Sequence, residues 1–296
     1  MASKNVNAAA NTDPAYLPVV RLIILRALLR CNGVAAFVDY DDYSDGRVAR
    51  VLGCTQAANR SFCKRSALRT LQRKLAGLER DGVALPTDTV IAHNIRLLGD
   101  RLGLQAADRD ILHLAVVGAA WPEIDLGLDL SGNLTHGGVC QLLGDCLGHP
   151  IEDIRAALDD RAPLARSAIL VIDRSRSYSF SSKLEMMEGL SEELMLQRDE
   201  LLDLFGSSVL RSPPPNLQLD DYAHLSEDVA ILRQYLQTAC SQRQHGVNVL
   251  IYGRPGTGKT ELVRAMVHAM GRQLMESNSP TSTVIAPRST PLQHLT

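Results

Sequence analysis

Aromatic side chains are scarce in this sequence. They make up 4% of 296 residues, with a single Trp, so cores must be built from aliphatic side chains. No charge of one sign prevails: 31 Lys and Arg face 33 Asp and Glu, a net of −2, and overall charge therefore points to no class of partner. The six cysteines (Cys31, Cys54, Cys63, Cys140, Cys146 and Cys240) form no C-x-x-C pair. No charged-then-apolar leader opens the chain, and free thiols in a reducing, cytoplasmic setting are expected. Long hydrophobic runs are missing too. Residues 17–29 are apolar but carry Arg21 and Arg26, and fall short of the roughly 20 residues a membrane span needs.

Hydrophobic residues reach 45%, enough for real cores, and the length suits two domains. Abundant Leu and Ala favour helices. Residues 1–13 read as a flexible tail and 14–211 as a mostly helical region. Pro14 or Pro18 opens its first helix, with Val20, Ile23, Ile24, Ala27, Leu28 and Cys31 on one stripe. Helices are expected over 85–103, with Asp88 as a cap, and over 106–120, 134–147 and 150–158. Residues 168–172 and 178–181 read as a small hairpin, which after several helices gives a winged-helix-like layout. Residues 183–206 read as an acidic helix.

Two clusters in this region invite a function. Residues 47–80 hold nine basic residues (Arg47, Arg50, Arg60, Lys64, Arg65, Arg69, Arg73, Lys74 and Arg80) against Glu79 alone, a net of +8. Such a segment is a surface for nucleic acid or an acidic partner, or a solvated face balanced by acids elsewhere. Residues 183–206, with seven acids against two bases, are the candidate internal partner. His136, Cys140, Cys146 and His149 lie close in sequence but do not share one helical face. A zinc site competes there with buried thiols beside surface histidines.

Three successive prolines in residues 212–216 mark a stiff linker. Beyond it, Ser226 with Glu227 and Asp228 starts a helix. Next comes the densest chemical signal: Gly253-Arg254-Pro255-Gly256-Thr257-Gly258-Lys259-Thr260, which satisfies G-x-x-x-x-G-K-[ST]. An anionic phosphate tail must be met by many donors at once. Glycines let the backbone curl so that successive N–H groups face the phosphates. Lys259 adds a compact positive charge, Thr260 a hydroxyl for Mg²⁺, and the helix that follows its positive dipole end. Ahead of the loop, residues 247–252 read as a buried parallel strand. After it, Leu262, Val263, Met266, Val267 and Met270 recur with helical period up to Gly271.

The stretch from Pro255 to Thr260 resembles the Walker A loop of AAA+ ATPases, and residues 217–276 resemble the opening strand, loop and helix of their P-loop α/β domain. Arg254 departs from the proline many members carry there. The resemblance implies ATP and Mg²⁺ as ligands, ring-shaped homo-oligomers, and remodelling of a protein or nucleic-acid partner chosen by the helical region. It also implies that residues 222–225 lie beside the adenine. Its Walker B acids, sensors and arginine finger have no counterpart after Thr260, where Glu261 and Glu276 are the only acids. No catalytic residue is therefore visible in this chain, and little hydrolysis of its own is expected. Residues 169–173 have a Walker B look but precede the loop and continue into Arg174. Residues 277–296, rich in Ser, Thr and Pro, read as a disordered or aberrant tail, as if the chain were truncated. The competing reading is a helical adaptor or basic nucleic-acid-binding module with a relic P-loop.

Overall fold

The computed structural model describes residues 13–54, 62–174, 178–198, 209–244, 246–277 and 283–286. The chain divides into two compact units, Met1–Leu204 and Phe205–Thr296.

The first unit is organised around α1 (Leu17–Arg30). A 3-10 turn at Pro14–Tyr16 leads into it, with the Asp13 carboxylate accepting from Ala15 N. Val20, Ile23, Ile24, Ala27 and Leu28 are buried as expected, but so are Val19, Leu22 and Leu25. The helix is a central one, enclosed by α4 (Lys64–Arg80), α7 (Pro122–Asp129) and α8 (His136–Leu147). Two short helices, α2 (Val34–Phe37) and α3 (Gly46–Val51), lie between α1 and α4 in sequence. Arg21 donates to Val51 O at 2.7 Å, the last residue of α3, and Arg26 donates to Cys146 O at 2.9 Å, near the end of α8. These are carbonyls that a helix end leaves without partners, and cations suit that end of the dipole. Arg26 and Arg30 also share Glu79 of α4, at 3.2 and 2.5 Å.

The next helices are α5 (Val90–Leu102), α6 (Ala106–Ala120), α9 (Ile151–Ala157) and α10 (Pro163–Arg166). Thr89, not Asp88, caps α5, its hydroxyl accepting from Ala92 N. A long-range contact selects it: the Tyr16 hydroxyl lies 2.6 Å from Thr89 Oγ1 and 2.8 Å from His113 Nε2. Burial pushes His113 down to about 4, so the ring is neutral at pH 7. Helix α7 was not legible in the sequence. Pro122 sets its first turn, and Gly127 lets it approach α1.

Strands β1 (Leu170–Ile172) and β2 (Leu184–Met186) form an antiparallel hairpin, with Val171 opposite Glu185. The partner expected at 178–181 is displaced: Phe180–Ser182 is a 3-10 turn and Tyr178 bridges to Leu134. Lys183 fixes this arrangement. It is fully buried, donates to Asp173 O at 2.7 Å and lies 5.9 Å over the Tyr178 ring. Residues 169–173, with their Walker B look, are thus the first strand of this hairpin. Among the described residues of 183–206, β2 and a short helix, α11 (Leu190–Met195), stand where one helix is expected; residues 199–206 lie outside the described residues. Asn94 ties α11 to α5, donating to Leu194 O at 3.0 Å and Leu196 O at 2.7 Å. The acidic stretch therefore packs on α5 and α6, and the expected pairing with the basic segment is not made among the described residues.

The second unit has helices α12 (Ser226–Ser241) and α13 (Lys259–Ala269) and an antiparallel sheet of β3 (Val209–Arg211), β4 (Gln273–Ser277) and β5 (Thr283–Ala286), in that order. Leu210 pairs with Glu276, and Met275 with Val284. Tyr222, Val229, Leu236, Leu262 and Met266 form the core. The strand expected over 247–252 does not form. Leu250 is 84% and Tyr252 87% exposed, and no described residue pairs with the run. An apolar sequence becomes a parallel strand only with neighbours to take its backbone hydrogen bonds. The Ser/Thr-rich stretch nevertheless supplies β5; residues 278–282 and 287–296 lie outside the described residues, as does most of the tail at 1–12.

Two tests follow from the first unit. A Cβ on Gly127 would lie 2.9 Å from the side chain of Ile24, which is fully buried. Gly127→Ala should cost about 1–3 kcal/mol by overpacking, read by chemical denaturation. Burial, reinforced by Asp129 one turn on, pushes the Asp125 carboxyl up to about 6. A raised carboxyl costs the fold stability progressively as pH rises from the unfolded value near 4, and in full above about 6. Asp125→Asn should stabilise the unit by about 1–2 kcal/mol at pH 7, and the gain should shrink as pH falls towards 4.

Candidate phosphate-binding site

Residues 253–258 form an exposed turn that runs directly into α13. Gly256 and Gly258 have φ of 80° and 77°, left-handed values that favour glycine. Gly258 is constrained twice, because a Cβ there would also lie 3.0 Å from the Tyr222 hydroxyl. Around Gly256 the space is open: nothing lies within 4 Å of such a Cβ. The loop is braced from within. Thr257 Oγ1 donates to Arg254 O at 2.9 Å, and Lys259 Nζ donates to Gly253 O at 3.2 Å and Arg254 O at 2.8 Å. The ammonium therefore lies back across the turn.

Each residue marked by the sequence falls in one place. Gly253, Arg254, Pro255, Gly256 and Thr257 line the exposed turn, Gly258 caps α13, and Lys259 and Thr260 begin it. Thr260 is exposed, so its hydroxyl is open to solvent. The expected helical face is buried at Leu262, Met266 and Val267, with Ala265, and Gly271 ends the helix at φ 63°.

Two supports were not legible. Tyr222 is 5% exposed, sits in the 3-10 turn Leu219–Leu225 and donates to Gly258 O at 3.0 Å. It thus ties the core to the hinge between loop and helix. The second support is a charge network on the flank of α13. Arg264 meets Glu276 of β4 with a two-pronged fork, Nε to Oε1 at 2.8 Å and Nη2 to Oε2 at 3.0 Å. It also donates to Glu261 Oε1 at 2.6 Å. Ser212 Oγ donates to Glu276 at 2.5 Å, and Asn216 N to Glu261 Oε2 at 2.8 Å, so both ends of the proline segment are tied to this unit. Only the Glu261–Arg264 spacing of three carried a hint in the sequence.

The metal-like cluster does not assemble. Cys146 is buried with its thiol on Ile23 O, and His149 pairs with Asp110 at 2.8 Å. His136 and Cys140 approach each other at 3.7 Å. No group of three metal-ligating side chains occurs among the described residues.

The network carries a pH signature. The Ser212 hydroxyl and then the Arg264 fork hold Glu276 below its usual 4.5, and the Asn216 N–H and then Arg264 do the same for Glu261. Depressed carboxyls stabilise the fold above their unfolded value and lose that contribution as pH falls through the folded one. Melting of the second unit should thus be insensitive to these groups between pH 6 and 8 and decline below about 4.5. Glu276→Gln should lower the pH 7 midpoint and flatten that acid decline; equal slopes in both proteins would contradict the assignment.

Comparison of the whole chain with curated proteins and with solved structures found no match. A family model does match, over residues 249–290, a stretch that holds the loop, α13, β4 and β5. Over that stretch the chain is similar to the ATPase family associated with various cellular activities (AAA).

Proposed function

We propose that this chain binds ATP with Mg²⁺ through residues 253–260, as an AAA+ type ATPase. The observation that carries the reading is the loop itself. Two left-handed glycines, an open space at Gly256 and the Lys259 ammonium converge at the start of an 11-residue helix. Lys259 is the cation for the β- and γ-phosphates, and its present partners are loop carbonyls that it can release. Thr260 is the residue that would hold Mg²⁺, whose chemistry is to neutralise charge building on the phosphates. Gly253 to Gly258, Pro255 excepted, supply backbone donors.

Binding is proposed without efficient turnover by this chain. The two carboxylates that follow the loop among the described residues, Glu261 and Glu276, are both engaged by Arg264. Neither is available to position a water for attack. The same reading carries assembly into homo-oligomeric rings, remodelling of a macromolecular partner and a cytoplasmic location, all by likeness to the family.

ATP at one hundred times its Kd should stabilise the second unit by about 2.7 kcal/mol. For a unit of this size that moves the melting midpoint by at least about 10 °C. Lys259→Ala should abolish the shift while leaving the midpoint without nucleotide near its original value. A folded protein whose midpoint ignores Mg-ATP, or a shift that survives Lys259→Ala, would remove the reading.

A further inference from the structure

Helix α4 keeps two faces apart. Ala67, Leu71 and Leu75 are buried, and the helix packs on α1. Arg65, Arg69, Arg73 and Arg80 are all exposed. Their spacings of four, four and seven residues put them within about 80° of one another around the axis, along about 22 Å of helix. No carboxylate lies within 4 Å of any of the four among the described residues. Glu79 turns away from them to Arg26 and Arg30. Asp39, Asp42 and Asp45, in the loop before α3, accept from backbone N–H groups of their own segment. Asp81 follows the helix end and is exposed. Arg73 is already held along the axis, donating from Nη2 to Thr70 Oγ1 at 3.2 Å.

We infer that this arginine row docks the phosphodiester backbone of a nucleic-acid duplex, independently of sequence and of the nucleotide site. Three features favour a duplex. The row is all arginine, whereas Lys64 and Lys74 of the same helix lie off it; the guanidinium fork suits phosphate oxygens. The cations are held at fixed distances, about 6, 6 and 10 Å apart along a rigid helix, which matches a stiff array of anions better than a flexible acidic peptide. No aromatic stands in the row, so it offers no platform on which single-stranded bases could stack. A membrane surface is disfavoured because the apolar face of α4 is already covered by α1 and cannot enter lipid.

The test is fluorescence anisotropy of a labelled 20-base-pair duplex titrated with the full chain at several salt concentrations. Four phosphate contacts predict a slope of log K against log salt of about −3.6, hence a loss of about 150-fold between 50 and 200 mM. Arg69→Gln and Arg73→Gln should each reduce the slope by about 1, and the fourfold Arg→Gln variant should not bind at 50 mM salt. Circular dichroism checks that the variants keep their helix content, which exposed substitutions should not alter. Three results would overturn the proposal. The first is no binding by the parent chain at 50 mM. The second is a slope unmoved by the arginine variants, which places the phosphate contacts elsewhere in the chain. The third is stronger binding of an acidic peptide or of anionic vesicles than of the duplex.

Discussion

The first unit rests on a helix that is buried almost all round and yet carries three arginines. Helix α1 could not occupy the centre unless the partly buried Arg21 and Arg26 found partners, because an unpaired buried charge costs several kcal/mol. They find them at the ends of other elements. Arg21 closes α3, Arg26 closes α8, and Arg26 with Arg30 anchors α4 through Glu79. One set of contacts thereby fixes the positions of three helices against the core. It also consumes the single acid of α4, which leaves the outer arginines of that helix without an internal counterion among the described residues.

The second unit solves a different problem, holding a sharply curved backbone at the foot of a helix. Glycines make the curvature possible, but they do not make it rigid. Rigidity comes from Tyr222, whose ring belongs to the core and whose hydroxyl holds Gly258 O, and from the Arg264 fork that locks α13 to β4. The loop is thus exposed on the side that meets solvent and braced on the side that meets the core. That asymmetry suits a ligand cradle: the turn meets solvent, the Lys259 ammonium lies across it, and the supports are on the core side.

The two basic features are different in kind. At the nucleotide site a single lysine acts with backbone N–H groups and a helix dipole, so position matters more than net charge. On α4 the side chains act as a row, and their effect is a field that salt screens. The nearly neutral total charge conceals both, because it averages a strongly basic helix with acidic segments that pack elsewhere.

Sequence alone determined what is local. The glycine spacing of residues 253–258 dictates a tight turn, the apolar period after Lys259 dictates α13, and the four-residue arginine spacing dictates one face of α4. Each depends on neighbours within a few residues, so pattern and conformation coincide. Tertiary structure decided whatever needs a distant partner. Residues 247–252 have the composition of a buried strand but form none, since no described strand lies beside them. Thr89 outranks Asp88 as a cap because Tyr16 reaches it from 73 residues away. The hairpin register follows buried Lys183, and the acidic stretch goes to α5 and α6 because Asn94 captures its carbonyls. Hydrogen-bond partners far apart in the chain leave no periodic mark in a sequence, and that is why these features became visible only in three dimensions.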